Sequence, residues 1–246
     1  MRRNVIAGNW KMFKNKTETK EYFTQLKEQL IADDRDVMIF APFTSLETAL
    51  EMTQGTAIRI GAQNMHFEDS GAYTGEISAD MLKELGLDLV LIGHSERRKY
   101  FGETDETVNA KLQKALEKEL SPVVCIGEDL SERETGITNE VLRRQVLNGL
   151  KNVSAGDKII VAYEPVWAIG TGKTATDDQA EDACRYIRTC LRELFGDVSE
   201  EMRILYGGSV NASNIKNLMS MQNIDGVLVG GASLKADFVQ IVHYDR

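Results

Sequence analysis

Ile159-Ile160-Val161-Ala162-Tyr163-Glu164-Pro165, continued by Val166-Trp167-Ala168-Ile169-Gly170-Thr171-Gly172-Lys173-Thr174, is the stretch on which the fold turns. Ile159 to Ala162 is apolar at every position and short enough for a strand, the pattern of a parallel sheet covered on both faces. Glu164 closes the run, at the strand end where α/β proteins gather their chemistry. Pro165 fixes one backbone angle beyond it, and Gly170 and Gly172 leave the loop tip free to take unusual angles. A carboxylate between a rigid hinge and a free tip reads as a base that is covered during reaction. An acid ending a strand beside an ordinary glycine-rich turn accounts for the same residues, and this segment alone leaves both readings open.

Working outward, the same kind of run recurs along the whole chain. Val5-Ile6-Ala7, Val37 to Ala41, Ile58 to Ala62 and Leu89 to Ile92 precede it, with Val123 to Ile126 between. Ile204 to Tyr206 and Val227 to Val229 follow, making eight. Between them lie helical patterns: Tyr22, Phe23, Leu26 and Leu30 share one face, as do Val108, Leu112, Ala115 and Leu116, and Ala180, Cys184, Ile187, Leu191 and Leu194. Thr176-Asp177-Asp178-Gln179 fits a capping box at the start of the last of these. Strand–helix alternation implies a parallel sheet, and eight strands is the count that closes it into a (β/α)8 barrel. With no linker, low-complexity tract or break in composition, residues 1–246 read as one α/β domain.

Composition narrows the function. Of 246 residues, 42% are hydrophobic and 27% charged, which sets aside disorder and fibres. A formal charge of −9 argues against a nucleic-acid surface, which needs a basic face, yet leaves room for a small anionic substrate held by local donors. No stretch is long and apolar enough to span a membrane, and Met1-Arg2-Arg3-Asn4 enters a strand-like run without a signal peptide, so a cytoplasmic protein is expected. Cys125, Cys184 and Cys190 form no CxxC pair, and His66, His94 and His243 show no metal-ligand spacing, so reduced thiols and no metal are expected.

Several strands end in polar or glycine-rich clusters, and in a barrel these ends share one rim. Gly230-Gly231-Ala232-Ser233 after the eighth strand and Gly207-Gly208-Ser209 after the seventh lie side by side there. Each glycine pair alone fits a tight turn, but two on adjacent strands point to a phosphate cradle of backbone N–H groups with the Ser209 hydroxyl beside it. Lys11, just past Asn9-Trp10 on the first strand, would stand next to the eighth and supply charge for an anion. His94 opens a helix-like stretch, His94-Ser95-Glu96-Arg97-Arg98, whose positive end disfavours imidazolium, so a neutral ring donating a hydrogen bond is expected. Glu96 is either a solvated helix-start acid or an ion-pair partner for Lys11. Together these pieces suit proton abstraction next to a carbonyl in a small phosphorylated substrate.

The motifs run in a familiar order: Gly8-Asn9-Trp10-Lys11-Met12, Gly61-Ala62-Gln63-Asn64, Gly71-Ala72-Tyr73-Thr74-Gly75-Glu76, and Ile92-Gly93-His94-Ser95-Glu96-Arg97-Arg98. Cys125-Ile126-Gly127-Glu128, Tyr163 to Thr174, Tyr206-Gly207-Gly208-Ser209-Val210 and Val229-Gly230-Gly231-Ala232-Ser233-Leu234 complete the set. From end to end the chain resembles the triosephosphate isomerase family. The resemblance implies a single (β/α)8 TIM barrel that interconverts dihydroxyacetone phosphate and D-glyceraldehyde 3-phosphate in glycolysis and gluconeogenesis, through an enediolate and without a cofactor. It implies Glu164 as base and His94 as electrophile, helped by Asn9 and Lys11, with Gly170, Ser209, Gly230 and Gly231 on the phosphate. It further implies Ser95 as the partner of Glu164 when the lid is open, Ile169 and Leu228 as a clamp on closure, and Glu128 with Trp167 steadying the open lid. Thr74 resembles a residue that enters a neighbouring subunit's pocket, which implies a homodimer. Phe13, at a position where a polar residue is expected, and the single proline of Ala41-Pro42-Phe43 depart from the pattern outside the catalytic set. A barrel aldolase with Lys11 as Schiff base and a non-catalytic phosphometabolite-binding barrel are the alternatives. Borohydride trapping would reveal the first, and binding without turnover the second.

Overall fold

The computed structural model describes residues 2–154, 156–169 and 174–245. Eight parallel strands follow one another around a closed barrel, the last pairing back to the first. They are β1 (Asn4–Asn9), β2 (Arg35–Ala41), β3 (Arg59–Ala62), β4 (Leu89–Ile92), β5 (Ser121–Ile126), β6 (Ile160–Tyr163), β7 (Arg203–Tyr206) and β8 (Gly226–Val229). Around them run α1 (Lys16–Leu26), α2 (Leu46–Thr53), α3 (Ala79–Glu84), α4 (Ser95–Phe101) and α5 (Asp105–Glu117). The outer layer continues with α6 (Leu130–Glu134), α7 (Thr138–Gly149), α8 (Asp177–Phe195), α9 (Ile215–Leu218) and α10 (Asp237–Val242).

Burial explains why the strands read as unbroken apolar runs. Successive side chains alternate between two cores. Val5, Ala7, Met38, Phe40, Leu89, Leu91, Val123, Cys125, Ile160, Ala162, Leu205 and Leu228 fill the barrel interior. Their neighbours Ile6, Ile39, Val90, Val124, Val161, Ile204 and Val227 face outward into the layer beneath the helices. Both faces are dry, so no position can be polar without a partner.

The element ends differ from the sequence reading for identifiable reasons. β2 starts at Arg35 rather than Val37, because the buried guanidinium is satisfied by Asp34, Asp245 and the Val242 carbonyl and so can enter a strand. β6 runs one residue later than Ile159–Ala162: the Ile159 N–H closes a turn on Gly156, and Tyr163 extends the ladder beside Ile126 and Tyr206. α1 stops at Leu26, and Leu30 reaches the core from a following 3-10 turn, Lys27–Leu30. The capping box at Thr176 and Gln179 is present at the head of α8.

Candidate active site

The alternation that builds the barrel also aims its mouth. Carrying the inward-facing set one residue past the strand ends leads to Gln63, Gly127, Glu164, Gly207 and Gly230, with Asn9 already inward at the end of β1. His94 breaks this count: Leu89 and Leu91 face inward, so the parity that continues through Gly93 leaves His94 outward. Gly93 adopts φ +72, a left-handed turn that glycine takes at little cost, and the chain direction changes there. The histidine ring thereby comes to the centre of the rim, against Glu164.

Glu164 is 2% exposed and His94 6%. The two meet at 2.8 Å between Oε1 and Nε2, while Glu164 Oε2 accepts the Ser95 backbone N–H at 2.9 Å. Burial pushes the Glu164 carboxyl up, but His94 and the Ser95 N–H pull harder, and its pKa lies below the usual carboxylate range. Burial likewise works against a charged His94, and the adjoining carboxylate outweighs it, raising the ring above its ordinary value in this contact. The proton shared by such a pair belongs to both groups. Its position on the neutral ring is fixed from the other side: His94 Nδ1 accepts the Glu96 N–H at 3.2 Å, which leaves the proton on Nε2, facing the cavity.

Lys11 sits in the left-handed region at φ 52, a conformation that costs a non-glycine residue on the order of 1 kcal/mol. Three contacts hold it. Its N–H donates to Asn9 Oδ1 at 2.9 Å, its carbonyl accepts from Gln63 Nε2 at 2.9 Å, and its ammonium meets Glu96 Oε1 at 2.5 Å. Of the two readings of Glu96, the ion pair is the one observed. Gln63 Nε2 also approaches Asn9 Oδ1 at 3.2 Å and the Phe40 carbonyl at 3.0 Å, so one amide ties the turn of Asn9 and Lys11 to β2. Its motif was visible in the sequence, but nothing there distinguished Gln63 from Asn64, which instead binds Lys111. Gln63→Ala is expected to lower kcat/KM by about tenfold, the cost of freeing a charged group that needs angstrom-level placement. Steady-state kinetics alongside thermal melting checks this: a fall in Tm with unchanged kcat/KM would make Gln63 merely structural.

Asn9, Lys11, His94, Glu164, Ile169, Ser209, Leu228, Gly230 and Gly231 line one cavity of ≈ 410 Å³, and Phe13 contributes to its rim. Gly231 opens a four-residue 3-10 turn, whose first N–H groups have no partner within the turn. Gly170, expected on the phosphate, lies outside the described residues. Just past β6, Trp167 Nε1 donates to Glu128 Oε1 at 2.8 Å, and the Tyr163 hydroxyl donates to the same oxygen at 3.1 Å. Arg133 lies over the Trp167 ring at 5.1 Å from its centroid, a contact not foreseen from the sequence. Ser95 holds Glu164 through its backbone, not its hydroxyl. Gly127 fixes Glu164 closely: a Cβ there would lie 1.7 Å from the Glu164 carbonyl oxygen, so only glycine admits this approach of β5 and β6.

Among the described residues, no three His, Cys, Asp or Glu side chains are gathered to hold a metal ion, and no helix is long and apolar enough to cross a membrane. A family model described as triosephosphate isomerase matches residues 4–245. The triosephosphate isomerase of Acetivibrio thermocellus is 52% identical over 249 residues, spanning 100% of this chain and 99% of that one. That of Clostridium botulinum strain Okra is 54% identical over 249 residues, spanning 99% of this chain and 100% of its own. That of Alkaliphilus oremlandii is 50% identical over 248 residues with the same coverage.

Proposed function

The chain belongs to the triosephosphate isomerase family and is an isomerase, and from that premise we propose that it interconverts dihydroxyacetone phosphate and D-glyceraldehyde 3-phosphate by proton transfer between adjacent carbons. The Glu164 carboxylate removes a proton from the carbon beside the carbonyl, and the electron pair left behind moves onto the carbonyl oxygen. His94 Nε2–H, with the Lys11 ammonium, hydrogen-bonds that oxygen as its charge develops, giving an enediolate. His94 Nε2 gives its proton to the former carbonyl oxygen and takes the proton of the adjacent hydroxyl. Glu164 returns the abstracted proton to the neighbouring carbon, and the hydroxyl-bearing carbon becomes the new carbonyl, so no group is oxidised or reduced from outside and no cofactor is required. Ser209 and the backbone of Gly230 and Gly231 hold the phosphate, and Gly170 joins them when the loop closes. Ile169 and Leu228, both lining the cavity, shield the carboxylate from water at that stage, which makes it a stronger base.

The single observation that supports this reading is the convergence of a buried acid, a ring with its proton on Nε2 and an ammonium on one cavity. Incubation of the purified protein with either triose phosphate in D2O tests it. The expected result is approach to one equilibrium mixture from both sides, with deuterium entering the carbon that gains a proton. Tight binding without turnover, or turnover only with added metal, would overturn it.

A homodimer is part of the same proposal. Thr74 lies in an exposed loop beside Tyr73, and Met12, Phe13, Tyr100 and Phe101 are all more than half exposed around Lys11 and α4. Apolar groups concentrated so close to a catalytic turn favour cover by a second copy's Thr74 loop. Sedimentation equilibrium should return twice the chain mass.

A further inference from the structure

Along α7, Val141, Leu142, Gln145, Val146 and Gly149 are the buried positions, spaced as one face of a helix laid on the barrel. Gln145 is the exception on that face. It is 5% exposed, and the others there carry no polar side-chain atom. Burying an amide costs free energy unless its polar atoms find partners. Both do, and on the same residue. Gln145 Oε1 accepts the Gly127 N–H at 2.7 Å, and Gln145 Nε2 donates to the Gly127 carbonyl at 3.1 Å.

Gly127 lies where the barrel gives it no strand to pair with. β4 ends at Ile92, opposite Val124, and so stops short of it. The carbonyls on either side of Gly127 both turn to the segment after β6: Ile126 accepts the Glu164 N–H at 2.7 Å and Glu128 the Val166 N–H at 3.0 Å. Gly127's own N–H and carbonyl are left to find partners elsewhere, and Gln145 supplies the pair that a neighbouring strand would.

Gly127 in turn bears directly on the base. A Cβ added to it would overlap the Glu164 carbonyl, 1.7 Å from the oxygen and 2.6 Å from the carbon, so the two backbones are in contact. The amide of α7 therefore fixes the surface against which Glu164 rests. An apolar side chain of the same length would dock α7 as well; only the amide also sets Gly127 in place.

We propose that Gln145 is a positioning residue for Glu164: by holding both backbone groups of Gly127, it sets how far the carboxylate stands into the substrate cavity. It touches no substrate, and its role rests on the isomerase reading above, in which Glu164 is the base.

Gln145→Met keeps the length of the side chain and its apolar fit while removing both bonds. With the triose phosphates, kcat should fall about tenfold, part of the roughly hundredfold that a misplacement of about 1 Å can cost. KM should stay within roughly twofold, because Ser209, Gly230 and Gly231 follow other strands. The deuterium isotope effect on kcat, with the label on the carbon that loses its proton, should rise above that of the unaltered protein, since the loss falls on proton abstraction. His94 supplies a readout that needs no turnover. Glu164 raises the pKa of its ring in the ligand-free protein, so a displaced carboxylate should let that pKa fall in an NMR titration. Gln145→Leu, read in the same way, takes its place if the far-ultraviolet spectrum shows that Gln145→Met does not fold. Unchanged kcat with a lower Tm would make Gln145 a docking residue only and overturn the proposal. A kcat loss without a larger isotope effect, or an unmoved His94 titration, would overturn it too. No isomerisation by the unaltered protein would instead sink the functional reading, and the His94 titration alone would then decide whether Gln145 positions Glu164.

Discussion

Glu164→Asp is expected to lower kcat by on the order of a hundredfold or more while KM stays within a few-fold. The shorter side chain withdraws the carboxylate by one C–C bond, about 1.5 Å. Both contacts that aim it, 2.8 Å to His94 Nε2 and 2.9 Å to the Ser95 N–H, are then too long to serve as hydrogen bonds. The backbone cannot follow. The Glu164 N–H is tied to the Ile126 carbonyl at 2.7 Å, the Tyr163 carbonyl holds the Gly207 N–H at 2.7 Å, and Gly127 already touches the Glu164 carbonyl. The proposed phosphate contacts of Ser209, Gly230 and Gly231 follow β7 and β8 and are untouched by the change, so binding should be spared while turnover is not. Near-normal kcat would remove Glu164 from the role of base.

Linkage gives the same substitution a second readout. The folded pKa of Glu164 lies below its ordinary value, so the carboxylate adds stability above the unfolded value, about 4.3, and that contribution is lost as pH falls through the folded one. The Tm deficit of Glu164→Asp should therefore be largest near neutral pH and shrink on acidification. A deficit independent of pH would mean that the loss is packing, not charge.

Much of this site was legible because a barrel turns alternation into geometry. Asn9 and Glu164 carry the inward parity of their strands, so counting by two from Ala7 and Ala162 reaches the mouth without coordinates. The eight apolar runs were readable for the same reason, since both faces of each strand are dry. Alternation does not encode the rest. His94 was expected at the rim as a strand-end residue, but its route there, through a turn of Gly93 at φ +72, is not announced by a glycine before a histidine. Gln63 acts through one amide shared among Asn9, Lys11 and Phe40, residues of two other segments, the end of β1 and β2. Ser95 was expected beside Glu164 from the resemblance, but that a backbone N–H, which every residue but proline possesses, makes the contact is something no side-chain pattern could mark. The strain at Lys11 is likewise invisible in a residue type usually found on helices and surfaces.

His94→Gln is expected to cost a factor on the order of 10² to 10³ in kcat with little change in KM, the range for removing one donor aimed at a developing oxyanion. The replacement amide can still donate, so the loss measures what the ring adds beyond a hydrogen bond at that place. Two properties of the ring are lost together. Its Nε2–H is oriented by the Glu96 N–H on Nδ1, whereas an amide pivots about its last bond with no second anchor on the same rigid plane. Its neutral form also exchanges a proton near neutral pH, which an amide does not. NMR titration separates the electrostatic part. In the ligand-free protein, Glu164 raises the His94 pKa above its ordinary value against the opposing effect of burial. Removing that charge in Glu164→Gln leaves burial dominant, so the His94 pKa should fall in this variant, and with it the fraction of charged ring at any pH between the two values. An unchanged titration would show that the 2.8 Å contact does not persist in solution.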